Sequence, residues 1–144
     1  MSQITTIPSG QIIYIDVCLP HKDYAEPKYL VVIRLFPPLL LKVNSKKEQT
    51  VIGKKQREFQ FSLLKTKYPF FSHDISYLDC GTVWAFLISS DEILEQINSD
   101  PNRIKGMLID DHKREALRLS KKSKSIEPKN RRAIEEEFNI KSSS

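Results

Sequence analysis

The sequence contains few cysteines and no segment typical of export or membrane insertion. Its two thiols, Cys18 and Cys80, do not form a close-spaced pair. Residues 1–6 lack the basic and apolar regions of a secretion signal. The longest apolar stretch, residues 35–41, is far too short to span a bilayer and contains two prolines. We therefore expect a soluble, cytoplasmic protein with no membrane partner, whose cysteines are reduced, small and buried.

Metal-binding patterns and internal repeats are also absent from the sequence. The potential ligands His73, Asp74, Asp79 and Cys80 lie close together in the chain. Their spacing does not match the paired Cys or His residues of a structural zinc site. We therefore expect no metal, no cofactor and structural roles for these side chains.

The net charge of +5 is unevenly distributed along the chain. Residues 1–100 hold 11 basic and 11 acidic side chains, whereas residues 101–144 hold 12 basic and seven acidic ones. A second basic stretch, residues 42–67, carries eight Lys or Arg against two Glu. Clustered cations suit a polyanion such as RNA, and an ordinary solvated surface has the same composition. Charge alone leaves both interpretations open.

The first 88 residues are rich in strand patterns, with a long lysine-rich loop at residues 45–56. The predicted strands cover residues 10–17, 29–33, 39–43, 59–64, 75–80 and 82–87. Gly81 separates the last two. Many short strands punctuated by Pro and Gly predict a compact barrel or a strongly curved sheet.

After residue 88 the pattern changes to that of helices. Ser89 and Glu92 form a capping-box pattern ahead of a short helix that ends by Pro101. An amphipathic helix is predicted from about residue 110 and a final helix from Pro128.

These patterns together predict one mostly β domain, residues 1–144, with C-terminal helices. We expect a small β-barrel body at about residues 9–88, a helical part at about 89–139 and a loose tail at 140–144. A chain of 144 residues is large enough for a single hydrophobic core.

The loop after the first predicted strand carries the residue types that phosphodiester cleavage needs. Cleavage requires a base that takes the 2′-hydroxyl proton and a cation that offsets the charge on the phosphorane. His21 or Glu26 is a candidate for the first task, and Lys28 is a candidate for the second. A solvated polar loop is the alternative interpretation.

Candidate contacts to phosphates and bases follow further along the chain. Ser45, Lys46 and Lys47 either hold a phosphate or form an ordinary polar turn. Tyr77 and Trp84 are candidates to stack on bases, although aromatic residues that alternate in strands are more often part of the core.

Basic side chains also line one face of the amphipathic helix. Arg114, Arg118, Lys121 and Lys122 lie opposite an apolar face that contains His112, which we expect to be packed. The one-sided charge favours RNA or an acidic protein partner, and a solvated helix face is the alternative.

Several segments taken together resemble the PemK/MazF-type toxins, the endoribonucleases of toxin–antitoxin pairs. Residues 10–16 (GQIIYID) resemble the opening Gly-Asp/Glu-Ile strand of that family. Residues 27–33 (PKYLVVI) stand where the family has Arg-Pro and an aliphatic strand, and residues 41–45 (LKVNS) where it has a strand ending in Thr-Ser. Residues 103–108 (RIKGML) are similar to its late Gly-x-Leu segment, which precedes a terminal helix.

The resemblance implies an SH3-like barrel, usually a homodimer, that cleaves RNA without a metal and leaves a 2′,3′-cyclic phosphate. It also implies a cognate antitoxin that blocks the site. By position, Lys28 replaces the family's arginine and Ser45 matches the second hydroxyl of its Thr-Ser.

We therefore expect a toxin-like endoribonuclease in which Lys28 stabilises the transition state and Ser45 positions the phosphate. His21 or Glu26 would act as general base. The alternative is a catalytically inactive barrel of the same type that binds nucleic acid or an acidic protein partner.

Overall fold

The computed structural model describes residues 3–45 and 58–139, which form an antiparallel sheet with helices. The strands are β1 (Gln11–Val17), β2 (Glu26–Arg34), β3 (Leu39–Asn44), β4 (Gln60–Leu64), β5 (Ile75–Ala85) and β6 (Ile104–Met107). The helices are α1 (Ser90–Ser99), α2 (Asp110–Ser120) and α3 (Pro128–Phe138), with a 3₁₀ turn at Pro101–Arg103.

The sheet is six-stranded and curls into a half-barrel, with the strand order β4-β5-β3-β2-β1-β6. The predicted fold class, mostly β with C-terminal helices, is thereby confirmed. Strands β1, β2 and β3 are consecutive in sequence and adjacent in the sheet, so the start of β2 and the end of β3 meet at one end of the sheet. The candidate site lies at that end.

Both faces of the sheet are buried over much of its area. Ile12 and Val31 point into a core formed with α2 and α3, whereas Ile13 and Leu30 point into a second core formed with α1. Because side chains alternate along a strand, β1 and β2 read as nearly continuous apolar runs rather than as alternating ones. The curled sheet is therefore fixed from both sides.

The predicted helix starts agree with the structure. The hydroxyl of Ser89 accepts a hydrogen bond from the N–H of Glu92 at 3.1 Å and caps α1. Helices α2 and α3 begin at Asp110 and Pro128, as the sequence predicts. None of the helices in residues 3–45 and 58–139 is long and apolar enough to cross a membrane.

The predicted break at Gly81 is wrong, because residues 75–85 form one continuous strand. The Asp79 carboxylate accepts a hydrogen bond from the N–H of Gly81 at 2.9 Å, and the Ser123 hydroxyl donates one to its carbonyl at 2.7 Å. Side chains therefore hydrogen-bond to both the N–H and the carbonyl of Gly81, at the point where the register between β3 and β5 shifts.

Strand β6 is not predicted from the sequence and lies within the part expected to be helical. It pairs with β1 at Gln11, Ile12 and Ile13 and forms one edge of the sheet. Four residues at an edge carry too little hydrophobic pattern to indicate a strand.

The two cysteines have different environments. Both are free thiols, and Cys80 is fully buried as expected. Burial raises the pKa of the Cys80 thiol well above its usual value. The expected burial of Cys18 is wrong, since it lies exposed at the end of β1 with its Sγ 3.2 Å from the carbonyl of Lys22.

Candidate functional site

A cavity of about 260 Å³ lies at the end of the sheet where β2 begins and β3 ends. Its described lining comes from β1, β2, β3, the turn before β5 and β5 itself. These residues are Tyr14, Pro27, Lys28, Tyr29, Val43, Ser45, Phe71, Ser72, His73 and Ser76. The cavity thus combines one ammonium group, one imidazole and several hydroxyl groups with an aromatic wall.

The structure brings Lys28 and Ser45 together in this cavity. Lys28 belongs to β2, and Ser45 directly follows the last residue of β3. The Lys28 side chain is about one-third exposed, so its charge is partly shielded from water, while Ser45 is exposed. Such a pairing of cation and hydroxyl fits the recognition of a phosphate oxygen. Lys46 and Lys47 lie outside the described residues.

Glu26 forms ion pairs with Lys22 and Lys28. Its Oε1 lies 2.8 Å from Nζ of Lys22 and 3.6 Å from Nζ of Lys28. The hydrogen bond from Lys22 is the main cause that lowers the pKa of Glu26, and Lys28 lowers it further. An ionised carboxylate held by two ammonium groups is a weak proton acceptor.

The described lining of the cavity includes neither His21 nor Glu26, the predicted general bases. His21 is exposed in the loop between β1 and β2. The imidazole that does line the cavity belongs to His73, an exposed residue for which the sequence predicts a structural role. Nothing in the local sequence indicates this placement, because His73 reaches the cavity through the pairing of β5 with β3.

An aromatic cluster forms the inner wall. The rings of Tyr14 and Tyr29 stack with centroids 4.3 Å apart and an angle of 19° between their planes. Phe71 packs edge-on against Tyr29 at 4.8 Å, and the Tyr29 hydroxyl donates a hydrogen bond to the Phe70 carbonyl at 3.0 Å. Burial raises the pKa of Tyr29, which keeps that hydroxyl protonated as a donor. Ring stacking, the edge contact and this hydrogen bond together hold Tyr29 in place.

Gly106 on β6 makes room for this wall. A Cβ atom at Gly106 would lie 2.7 Å from Cε1 of Phe70, closer than carbon atoms approach each other in proteins. The late glycine of the family-like segment thus has a packing role against the cavity wall.

The predicted basic face of α2 is largely paired with carboxylates. Arg114 lies 2.7 Å from Asp111, and Arg118 is bound through two nitrogens to Glu115. The Lys121 ammonium lies 3.7 Å from a carboxylate of Glu135 on α3. Lys122 is exposed. Helix α2 itself contains three basic and three acidic side chains, so its charge is balanced.

The remaining candidates from the sequence, Tyr77, Asp79 and Trp84, all lie on β5. Asp79 is buried, and burial raises the pKa of its carboxyl, opposed by the hydrogen bond from Gly81. Trp84 packs against the core beneath α1, with Nζ of Lys42 5.3 Å from its ring, and Tyr77 is half-buried on β5. Within the described parts of the chain, no group of three or more His, Cys, Asp or Glu residues is placed to hold a metal ion.

Comparison with models of known protein families, with curated proteins and with solved structures finds no match.

Proposed function

We propose that this chain is a toxin-like endoribonuclease that cleaves RNA in the cavity at the start of β2 and the end of β3. One observation carries the proposal. Lys28 stands at the position of the arginine of the PemK/MazF-type toxins and Ser45 at that of their second hydroxyl, and the two line the same cavity although one lies on β2 and the other follows β3. An RNA substrate, a cognate antitoxin and a homodimer are parts of this proposal.

The residues of the cavity account for each step of the cleavage. The 2′-hydroxyl of the substrate attacks the neighbouring phosphorus atom, and the imidazole of His73 accepts its proton. The ammonium of Lys28 offsets the charge that develops on the phosphorane oxygens, and the Ser45 hydroxyl donates a hydrogen bond to one of them. The bond to the 5′-oxygen then breaks, and the proton returns from the imidazole to that oxygen. The products carry a 2′,3′-cyclic phosphate and a 5′-hydroxyl.

Glu26 has a supporting role in this scheme. Because it lies between Lys22 and Lys28, it keeps the Lys28 side chain oriented along the start of β2. Glu26 and His21 remain the general bases predicted from the sequence, and His73 is the alternative that the cavity favours.

The test is cleavage of a single-stranded RNA in the presence of EDTA by wild type, Lys28→Ala and Ser45→Ala. We expect Lys28→Ala to lower the rate by about 100- to 1,000-fold, as for the loss of one preorganised transition-state contact. Lys129→Ala is the matched control, because Lys129 is an exposed lysine on α3. Equal cleavage by wild type and Lys28→Ala, or none by wild type, contradicts the proposal.

The identity of the base is tested with His73→Ala, His21→Ala and Glu26→Gln. Removal of a general base lowers the rate by about 100- to 10,000-fold. We expect this loss for His73→Ala alone. A loss confined to His21→Ala or Glu26→Gln would restore the assignment predicted from the sequence.

The competing function, a barrel without catalytic activity that binds RNA or an acidic partner through α2, has less structural support. Arg114, Arg118 and Lys121 already have carboxylate partners within the molecule. Ion pairs of this exposed kind are weak and a phosphate can displace them, but they leave α2 with little net charge to attract a polyanion.

A further inference from the structure

A second cavity, of about 430 Å³, lies where the loop between α2 and α3 meets β5 and the start of β4. It shares no described lining residue with the cavity at the start of β2, and its volume is in the range of small-molecule sites. Phe59 contributes an aromatic ring and Thr82 a hydroxyl group. The loop contributes Lys122, Lys124 and Ser125. The cavity therefore combines an aromatic ring with ammonium and hydroxyl donors.

The loop that carries the two lysines is anchored to the rest of the molecule. Ser123 is buried, and its hydroxyl donates a hydrogen bond to the carbonyl of Gly81 at 2.7 Å. Nη2 of Arg131 donates to the carbonyls of Ser123 and Ile126, each at 3.0 Å. Ile126 is buried in the core formed with α2 and α3. These anchors define the backbone from which the lysines on either side of Ser123 extend.

The aromatic ring of the cavity lies directly on β5. A Cβ atom at Gly81 would lie 3.1 Å from Cβ and 3.2 Å from Cδ2 of Phe59, so the glycine permits this close approach. The carbonyl of Phe59 accepts a hydrogen bond from the N–H of Cys80 at 2.9 Å. Phe59 is only partly buried by this packing. Its ring therefore offers an apolar surface to a ligand in the cavity.

The charged groups of the cavity favour an anion. Lys122 and Lys124 are exposed, and neither forms an ion pair with a carboxylate within residues 3–45 and 58–139, whereas the neighbouring Lys121 pairs with Glu135. Glu58 is the one acidic residue of the described lining. A phosphate monoester carries nearly two negative charges and three acceptor oxygens. It can therefore accept hydrogen bonds from ammonium and hydroxyl groups together.

We propose that this cavity is a binding site for a small phosphate monoester with an apolar body. The phosphate binds Lys122, Lys124 and Ser125, and the apolar body lies against the ring of Phe59. The ligand thereby connects the start of β4 with the loop between α2 and α3. The site is separate from the proposed ribonuclease cavity, and neither requires the other.

The test uses three small probes in isothermal titration calorimetry. Phenyl phosphate has both the dianionic phosphate and an apolar ring, and it should bind most tightly. Inorganic phosphate lacks the ring that contacts Phe59, and methyl phenyl phosphate is a diester with a single charge. We expect a higher Kd for both of these probes than for phenyl phosphate.

Substitutions of opposite charge should change the affinity for phenyl phosphate in opposite directions. Lys122→Gln and Lys124→Gln should each raise the Kd by about 3- to 10-fold, as for loss of an exposed charge-assisted contact. Glu58→Gln should lower the Kd, because it removes a negative charge beside the phosphate. The controls are Lys129→Gln and Glu127→Gln, which change exposed residues outside the cavity lining and should bind like wild type. Thermal unfolding checks that each variant is folded.

NMR spectroscopy locates the bound probe. Phenyl phosphate should shift the backbone amide resonances of Thr82 and Ser125, which line the cavity. A Kd that rises for Lys28→Ala and stays unchanged for a folded Lys124→Gln would place the phosphate in the first cavity and overturn this site. No binding of phenyl phosphate, or equal binding of its methyl diester, would also overturn the proposal.

Discussion

The hydroxyl of Tyr68 lies 2.6 Å from Nδ1 of His112 and accepts a hydrogen bond from the backbone N–H of Ile109 at 3.1 Å. The Tyr68 proton is available for donation to Nδ1 of His112 in the ring tautomer that carries its proton on Nε2. The contact ties the start of α2 to the turn after β4.

This geometry predicts a loss of stability at mildly acidic pH. Burial lowers the pKa of His112, and the nearby charge of Lys67 lowers it further, partly opposed by Asp111 and Glu115. The folded protein therefore binds a proton at His112 less readily than the unfolded chain does. The stabilisation is fully present above the pKa of an unfolded histidine, about 6.5. It is lost as the pH falls from there through the lower pKa of the folded state.

Chemical denaturation between pH 7.5 and 5 measures this effect. His112→Gln keeps an acceptor for Tyr68 but does not titrate, so its unfolding free energy should fall less over this interval. His21→Gln is the control and should behave like wild type, because His21 is exposed. An identical pH dependence for wild type and His112→Gln would show that His112 is not the responsible group.

Gly106→Ala should strain the wall of the cavity. The added methyl group would lie 2.7 Å from the Phe70 ring, which is itself packed against Tyr29 and Phe71. Overpacking of this kind costs about 1–3 kcal/mol of unfolding free energy. In the double variant Gly106→Ala/Phe70→Leu the clash is relieved, so its cost should be smaller than the sum of the two single costs. Additive costs would mean that the ring moves aside freely.

Gln96→Ala should loosen α1 from the sheet. The Gln96 side chain accepts a hydrogen bond from the N–H of Asp16 at 2.8 Å and donates one to its carbonyl at 2.9 Å. These two bonds satisfy the backbone of Asp16, which lies on β1 beyond the residues that pair with β6. Loss of both bonds should cost about 1–2 kcal/mol in denaturant unfolding. Glu95→Ala, an exposed neighbour on α1, should stay within about 0.5 kcal/mol of wild type, and an equal loss there would point to helix propensity instead.

Some elements of the fold follow from local sequence signals, whereas others depend on residues that are distant in the chain. The Ser89 cap and the apolar run of β2 are local signals, and both lead to the observed elements. The continuity of β5 through Gly81 depends on Ser123, which is distant in sequence, and the placement of β6 depends on its pairing with β1. Such tertiary hydrogen bonds leave no periodic pattern in the segments themselves.

The candidate site likewise contains residues that the sequence indicates and residues that it does not. Lys28 and Ser45 are indicated by strand order, because the start of one strand and the end of the next antiparallel strand meet at the same end of the sheet. His73 and Tyr14 enter the cavity through the curl of the sheet and the turn before β5. The pairing of Arg118 with Glu115 was open to prediction, since the two are three positions apart on one helix.

The salt dependence of RNA binding should change differently when Lys28 in the cavity or the arginines of α2 are neutralised. Neutralisation of a lysine that contacts phosphate lowers the slope of log K against log salt by about one. We expect this change for Lys28→Gln, whose ammonium lines the cavity. Arg114→Gln/Arg118→Gln should shift the slope by clearly less than one, because both arginines are already paired with carboxylates of α2. Titration with a short single-stranded 2′-O-methyl RNA, whose blocked 2′-oxygen prevents cleavage, measures both slopes at several salt concentrations. A larger change for the α2 double variant than for Lys28→Gln would locate the RNA on the helix and contradict its binding in the cavity.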